Sequence, residues 1–87
     1  MNPVVKDIIE AMEKHGETLS DIVSSTLTDE DMNDDHYFSK NQREGKISFT
    51  IWTKNRVYFP AIYDGWSWVE SVSRNPDGVK VTAVGGI

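Results

Sequence analysis

The sequence predicts an α+β fold in which two short N-terminal helices pack on a four-stranded antiparallel β-meander. Two observations lead to this prediction. Apolar residues recur at helical spacing early in the chain, and they alternate with a period of two from residue 46 onwards. Three turn signals then divide the later part into segments rich in β-branched and aromatic residues. With 87 residues there is room for one core, so we expect a single domain over 1–87, acidic and helical over 1–38 and a sheet over 46–84.

The first predicted helix begins near the N-terminus and ends at Gly16. Asn2 is a favourable N-cap, and Pro3 fits the first helical position, where the missing N–H has no helical partner to lose. Gly16 readily takes the left-handed conformation that ends many helices. One apolar stripe follows the helical period and would face a core: Val5, Ile8, Ile9 and Met12.

The second helix is predicted from Leu19 to Leu27. Thr18 followed by Asp21 resembles a capping box, which favours a helix start at this point. The apolar face of this helix would be formed by Leu19, Ile22, Val23 and Leu27. An acidic run follows Thr28, and a short third helical turn and a solvated loop fit that run equally well.

Four strands are predicted in the second part of the chain, near residues 47–53, 56–63, 66–74 and 79–84. The turns between them are Lys54-Asn55, Asp64-Gly65 and Asn75-Pro76-Asp77-Gly78. Asp-Gly is typical of a type I′ hairpin turn, and Asn-Pro-Asp-Gly is typical of a type I turn followed by a glycine bulge. Because Pro60 has no N–H for a ladder hydrogen bond, we expect a bulge or a break in strand pairing there.

The turn positions fix the register of the strands, and the register assigns each apolar side chain to one face of the sheet. The expected pairs are Ile51 with Tyr58, Ile47 with Ile62, Phe59 with Glu70, and Ala61 with Trp68. One face, the aliphatic face, then carries Ile47, Phe49, Ile51, Tyr58, Pro60, Ile62, Val69, Val79 and Val81. The opposite face, the aromatic face, carries Trp52, Val57, Phe59, Ala61, Tyr63, Trp66, Trp68, Val72 and Val84. We expect the helices to cover the aliphatic face.

Both predicted faces are apolar, although an antiparallel sheet with one solvated face usually alternates between apolar and polar residues. Three explanations are open. The sheet curls enough to bury its own second face, as small barrels do. Alternatively, the aromatic face pairs with a second copy of the chain in a two-fold homodimer, or it holds a different partner.

The charge is distributed unevenly along the chain. Residues 1–38 have a net charge of −8 and residues 39–87 a net charge of +3, within an overall charge of −5. Such an asymmetry influences association with partners rather than fold. The acidic segment, residues 29–35, is therefore a second candidate for partner binding, through Asp29, Glu30, Asp31, Asp34 and Asp35. The candidates on the aromatic face are Trp52, Phe59, Tyr63, Trp66 and Trp68.

The sequence predicts no catalytic residues, no metal site and no cofactor. It has no cysteine and two histidines, which leaves few ways to build a nucleophile–base pair. The acidic segment begins like a calcium-binding loop. However, Asp34 occupies the position of the turn glycine and Lys40 the position of the bidentate glutamate. None of the common nucleotide-binding, hydrolase or metalloprotease motifs is present. We therefore expect a binding protein rather than an enzyme.

The favoured function is a small cytosolic protein-interaction module, an inhibitor or adaptor that binds a host protein. Small size, acidity and the lack of cysteine are compatible with a cytosolic accessory protein encoded by a phage or mobile element. Charged side chains interrupt the N-terminal apolar residues, so no membrane span is predicted there. The alternative is binding of single-stranded nucleic acid by the stacked aromatics, flanked by Lys54, Arg56, Arg74 and Lys80. The overall charge of −5 and Glu70 on the same face disfavour that alternative.

Overall fold

A computed structural model describes residues 3–38, 47–64 and 66–83. Its elements are α1 (Val4–Glu13), a 3-10 turn (Leu19–Asp21), β1 (Ile22–Ser25), α2 (Asp29–Met32), β2 (Ile51–Thr53), β3 (Arg56–Tyr63) and β4 (Trp66–Ser73). The strands form one antiparallel sheet in the order β1-β2-β3-β4. This confirms an α+β fold with a four-stranded antiparallel sheet. No helix in the described residues is long and apolar enough to cross a membrane.

Helix α1 ends as its sequence predicts. Gly16 has a φ of 69°, the left-handed conformation that glycine adopts without a Cβ clash. Its N–H donates to the carbonyl of Glu13 at 3.2 Å, and the N–H of Glu17 donates to the carbonyl of Met12 at 3.0 Å. These two bonds give the helix a Schellman-type end. The buried stripe is Val4, Ile8, Ala11 and Met12. The predicted cap Asn2 lies outside the described residues.

The predicted second helix is wrong. Only three residues, Leu19–Asp21, form a helical turn, and Ile22–Ser25 form the edge strand β1. The Thr18 N–H does donate to the Asp21 carboxylate at 2.8 Å, but this bond supports a single turn. The residues that follow include two β-branched side chains, which favour an extended chain, and β2 supplies the pairing partner.

The acidic run after Thr28 starts with a helical turn, α2. The Thr28 hydroxyl accepts the Asp31 N–H, and the Asp31 carboxylate accepts the Thr28 N–H, both at 3.1 Å. This reciprocal capping box satisfies two backbone donors at the start of the turn. Of the two alternatives left open by the sequence, the helical turn is therefore correct for Asp29–Met32.

The register of the central strands agrees with the turn-based prediction. Three expected pairs are present: Ile51 with Tyr58, Phe59 with Glu70, and Ala61 with Trp68. The expected pair of Ile47 with Ile62 is absent from the described ladder, because β2 begins only at Ile51. Asp64 has the positive φ, 48°, that a type I′ turn requires, and Gly65 lies outside the described residues.

The predicted break at Pro60 is wrong, because β3 and β4 pair without interruption and Pro60 lies opposite Val69. The two-residue turn after Tyr63 makes Tyr63 and Trp66 a hydrogen-bonded pair. Alternation along the ladder then makes Pro60 and Val69 a pair without mutual hydrogen bonds. The nitrogen of Pro60 therefore points away from β4 and towards the residues that precede Ile51, the first residue of β2. Because the β2–β3 ladder does not extend to these residues, the missing N–H of Pro60 costs no ladder hydrogen bond.

The strand predicted at 79–84 is also wrong for residues 79–83, and Val84 lies outside the described residues. Gly78 has the expected positive φ of 76°. However, the Arg74 N–H donates back to the carbonyl of Asn55 at 2.8 Å, which ties the chain after β4 to the β2–β3 turn. Val79 and Val81, expected on the aliphatic face, are 70% and 65% exposed.

The core lies between α1 and the aliphatic face, so α1 covers the face that the sequence predicted it to cover. Ile51 and Tyr58 are both 0% exposed. The buried cluster comprises Val4, Ile8, Ala11, Met12, Leu27, Tyr37, Phe49, Ile51, Tyr58 and Val69. The Tyr58 hydroxyl donates to the buried Glu17 carboxylate at 2.6 Å. All buried side-chain nitrogen and oxygen atoms of the described residues have a hydrogen-bond partner.

Candidate functional site: the aromatic face

The aromatic face is assembled by three adjacent strands, β2, β3 and β4. Alternate residues of a strand point to the same side of a sheet, so each cross-strand pair belongs to one face. The pairs on this face are Trp52 with Val57, Val57 with Val72, Phe59 with Glu70, Ala61 with Trp68, and Tyr63 with Trp66. The face predicted from the sequence is therefore formed, apart from Val84, which is not described.

Exposure on the aromatic face is concentrated at the β3–β4 hairpin end, where Ile62 of the aliphatic face is also 42% exposed. Trp66 is 76% exposed and Tyr63 is 48% exposed. Trp52, Phe59 and Trp68 are half-buried, and the small side chain of Ala61 is buried. The described helices cover the other side of the sheet, because Met12 of α1 and Met32 of α2 pack in or against the core cluster. The exposure of Trp66 and Tyr63 argues against a sheet that curls to bury its own second face.

The one carboxylate within the aromatic face is engaged by a tryptophan. Trp68 Nε1 donates to Glu70 Oε1 at 2.7 Å, and Glu70 lies opposite Phe59. This bond gives the indole N–H its partner and fixes the position of both side chains. The face thus presents flat aromatic surface with one oriented acceptor group.

Arg56 does not flank the aromatic face, contrary to the sequence-based alternative. It pairs with Ser73, and its Nε donates to the Ser71 hydroxyl at 2.8 Å. Ser71 lies opposite Tyr58, so these residues belong to the face that packs on α1. Arg74 is exposed, and its Nη1 donates to the carbonyl of Thr53 at 2.9 Å. Two of the four expected cations are therefore held by other groups.

The acidic segment is separate from the aromatic face. Asp29, Glu30 and Asp35 are exposed, whereas Asp31 and Asp34 are half-buried. Both half-buried carboxylates accept backbone N–H groups, Asp31 from Thr28 and Asp34 from His36 at 2.9 Å. Since Met32 packs against the core, the segment lies on the helix side of the sheet. The structure does not combine the two sets of candidate residues into one site.

Among the described residues β4 is an edge strand, which the sequence did not predict. A partner strand was expected at 79–84, but among the described residues the only strand beside β4 is β3. Edge strands expose backbone hydrogen-bonding groups to which another chain can bind. The β-branched residues Ile22 and Val23 were the available signal that the fourth strand lies before the central hairpin.

Within the described part of the chain, no group of three or more His, Cys, Asp or Glu residues could hold a metal ion. No family model matches the sequence, and neither a curated protein nor a solved structure matches the chain. The geometry and chemistry of the surface are therefore the basis on which a function is proposed.

Proposed function

We propose that this chain is a small protein-interaction module that acts in the cytosol as an inhibitor or adaptor of another protein. The observation that supports this function is the exposed hairpin end of the aromatic face, with Trp66 76% and Tyr63 48% exposed. Contiguous apolar surface of this kind is costly to leave in water, and in soluble proteins it usually marks an interaction site.

The residue types on the face suit a protein partner. Tryptophan and tyrosine are enriched among the residues that dominate binding energy at protein interfaces. They offer large contact areas with few side-chain rotations to restrict on binding. Trp52, Phe59 and Trp68 are held on the regular ladder of a sheet, so this part of the surface is ordered before the partner arrives.

The edge strand β4 extends the same surface. A partner could add an extended segment beside β4 and cover the adjoining aromatic side chains at once, a common mode of peptide recognition. The net charge of −5 would speed association with a basic partner, because opposite charges attract over long range. Binding of nucleic acid has weaker support, since Arg56 lies on the other face and Glu70 lies among the aromatics.

The test is an affinity pull-down from nuclease-treated lysate of the native source, with the eluate identified by mass spectrometry. The full chain is compared with Trp66→Ala and with Leu19→Ala, a control that shortens an exposed apolar side chain outside the aromatic face. We expect one co-eluting protein near equal stoichiometry, retained by Leu19→Ala and lost or reduced at least roughly tenfold with Trp66→Ala.

Three results would contradict the proposal in different ways. Equal retention by both variants would place the contact elsewhere, for example on the acidic segment. A partner captured from a parallel untreated lysate but not from the nuclease-treated lysate would indicate nucleic acid. A concentration-dependent dimer in sedimentation equilibrium, disrupted by Trp66→Ala and with no other protein in the eluate, would make a second copy the occupant of the face.

A further inference from the structure

A cleft of about 600 Å³ lies on the surface next to the C-terminal end of α1, away from the exposed tip of the aromatic face. Its polar lining comes from three parts of the chain: His15 after α1, Arg56 at the start of β3, and the residues at the end of β4 and beyond it, including Ser71, Ser73 and Arg74. Its apolar lining includes Pro76, Val79 and Val81. We refer to it as the arginine cleft.

Within the described residues, both arginines are held in place by hydrogen bonds to uncharged groups. Arg56 donates from Nε to the Ser71 hydroxyl at 2.8 Å, and Arg74 donates from Nη1 to the Thr53 carbonyl at 2.9 Å. No carboxylate of the described residues forms an ion pair with either arginine. Because each guanidinium has five N–H donors, several donors on each remain for a ligand.

The local charge of the arginine cleft opposes that of the whole chain. The protein has a net charge of −5, yet the lining contains two arginines against one carboxylate, that of Asp77. The Asp77 carboxylate accepts the N–H of Val79 at 3.0 Å, which orders the loop. Burial and then the nearby charge of Arg56 lower the pKa of His15, against the opposing charges of Glu17 and Glu70.

The two valines that line the arginine cleft are unusually exposed. Val79 and Val81 are 70% and 65% exposed, although the chain positions them in a concave surface beside the arginines. A ligand with an anionic group and an apolar body would meet both the guanidinium donors and this exposed apolar surface. Guanidinium groups bind carboxylate and phosphate oxygens through two parallel hydrogen bonds, which adds directional specificity.

We propose that the arginine cleft binds a small organic anion. Arg56 and Arg74 hold its carboxylate or phosphate group, and Val79 and Val81 contact its apolar body.

Val72 of the aromatic face also lines the arginine cleft, near the opposite end of β4 from Trp66. This proposal is tested by Arg74→Gln and the protein-partner proposal by Trp66→Ala, so each can fail without the other.

The test is a titration of the ¹⁵N-labelled full chain, followed by amide chemical shifts. The probes are phenyl phosphate and benzoate, with inorganic phosphate and acetate as counterparts that lack the apolar body. We expect saturable shifts at His15, Ser71, Arg74 and Val79. We also expect the probes with an aromatic body to bind roughly tenfold more tightly than their counterparts. The tighter of phenyl phosphate and benzoate identifies the oxyanion that the site prefers.

Variants then separate specific binding from general attraction of anions. Arg74→Gln should weaken binding roughly tenfold. Lys6→Gln, which removes the same charge from an exposed position near the other end of α1, should leave the affinity unchanged. Arg56→Lys keeps the charge but loses the planar pair of donors, so it should also weaken binding.

Three outcomes would overturn the proposal. Two are chemical shifts that rise linearly without saturation and chemical shifts that cluster around Trp66 and Tyr63. The third is binding that weakens equally with Lys6→Gln and Arg74→Gln.

Discussion

The two faces of the sheet are built from the same strands and similar residue types, but they differ in what covers them. On the aliphatic face Ile51 and Tyr58 are 0% exposed beneath α1. On the aromatic face Trp66 is 76% exposed. With 10 residues, α1 is about 15 Å long, enough to cover part of one face only. Burial on the aliphatic face therefore comes from α1 together with residues such as Leu27 and Tyr37 that pack on the same side.

The faces also differ in how their polar groups are used. Beneath α1, Tyr58 and Glu17 form a buried hydrogen bond that joins β3 to the residue after the Gly16 stop of the helix. On the aromatic face, Trp68 and Glu70 form a bond within one strand, which ties no second element to the sheet. The polar contact on the aliphatic face thus stabilises the fold, whereas the one on the aromatic face fixes the positions of two surface side chains.

The largest expected effect is a difference in the free energy of unfolding between two variants, each with one side chain truncated on a different face of the sheet. Ile51→Ala should lower the free energy of unfolding by about 2–5 kcal/mol, because it leaves a cavity under α1. Trp66→Ala removes more atoms but should cost less than about 1 kcal/mol, because most of this side chain is already in water. Urea denaturation measures both values. If Ile51→Ala does not fold, Ile51→Val gives the smaller cavity. Equal losses on the two faces would show that the aromatic face is covered.

A smaller effect is expected from removing one buried hydroxyl. Tyr58→Phe should cost about 1–3 kcal/mol, since the Glu17 carboxylate would keep its burial but lose its donor. Tyr63→Phe is the matched control on the aromatic face and should change stability little, because Tyr63 is largely exposed. Denaturation of both variants at neutral pH tests this contrast, and a loss of similar size for the two tyrosines would refute it.

The smallest effect is a loss of stability at alkaline pH. Burial raises the pKa of Tyr58 above its ordinary value of 10.0, and the hydrogen bond to Glu17 and the charge of that residue raise it further. The folded protein therefore holds this proton more tightly than the unfolded chain does. The resulting stabilisation is fully present below pH 10.0 and decreases as the pH rises above it. The urea midpoint should fall more steeply with pH in the parent protein than in Tyr58→Phe, and parallel curves would contradict this assignment.

The parts of the fold that follow from local signals could be predicted from the sequence. The glycine stop of α1 and the two-residue turns of the central hairpins involve neighbouring residues, and both agree with the structure. Division of the apolar residues into two faces follows from the turns, so the aromatic face was predictable as well. The position of Arg56 was equally predictable, because it shares the alternation of Tyr58 rather than that of Phe59.

Other features depend on contacts between distant residues. Thr18 and Asp21 give the local signal of a helix, but Ile22–Ser25 become a strand by pairing with Ile51–Thr53. The strand expected after Gly78 is absent from residues 79–83, and the chain just after β4 is instead tied to Asn55 by the Arg74 N–H. His15, Arg56 and Arg74 meet only in the folded chain, so no sequence spacing indicates the arginine cleft.

The unequal edges of the sheet limit how the protein can assemble. In the described residues, one edge is the four-residue β1 with an irregularity between Ile22 and Ser24, and the other is the eight-residue β4. A short, irregular strand is a poor template for a neighbour, and a long, regular one is a good template. Two copies joined through β4 would each present only β1 to further molecules. Strand-mediated assembly would therefore stop at a pair instead of growing into a fibre.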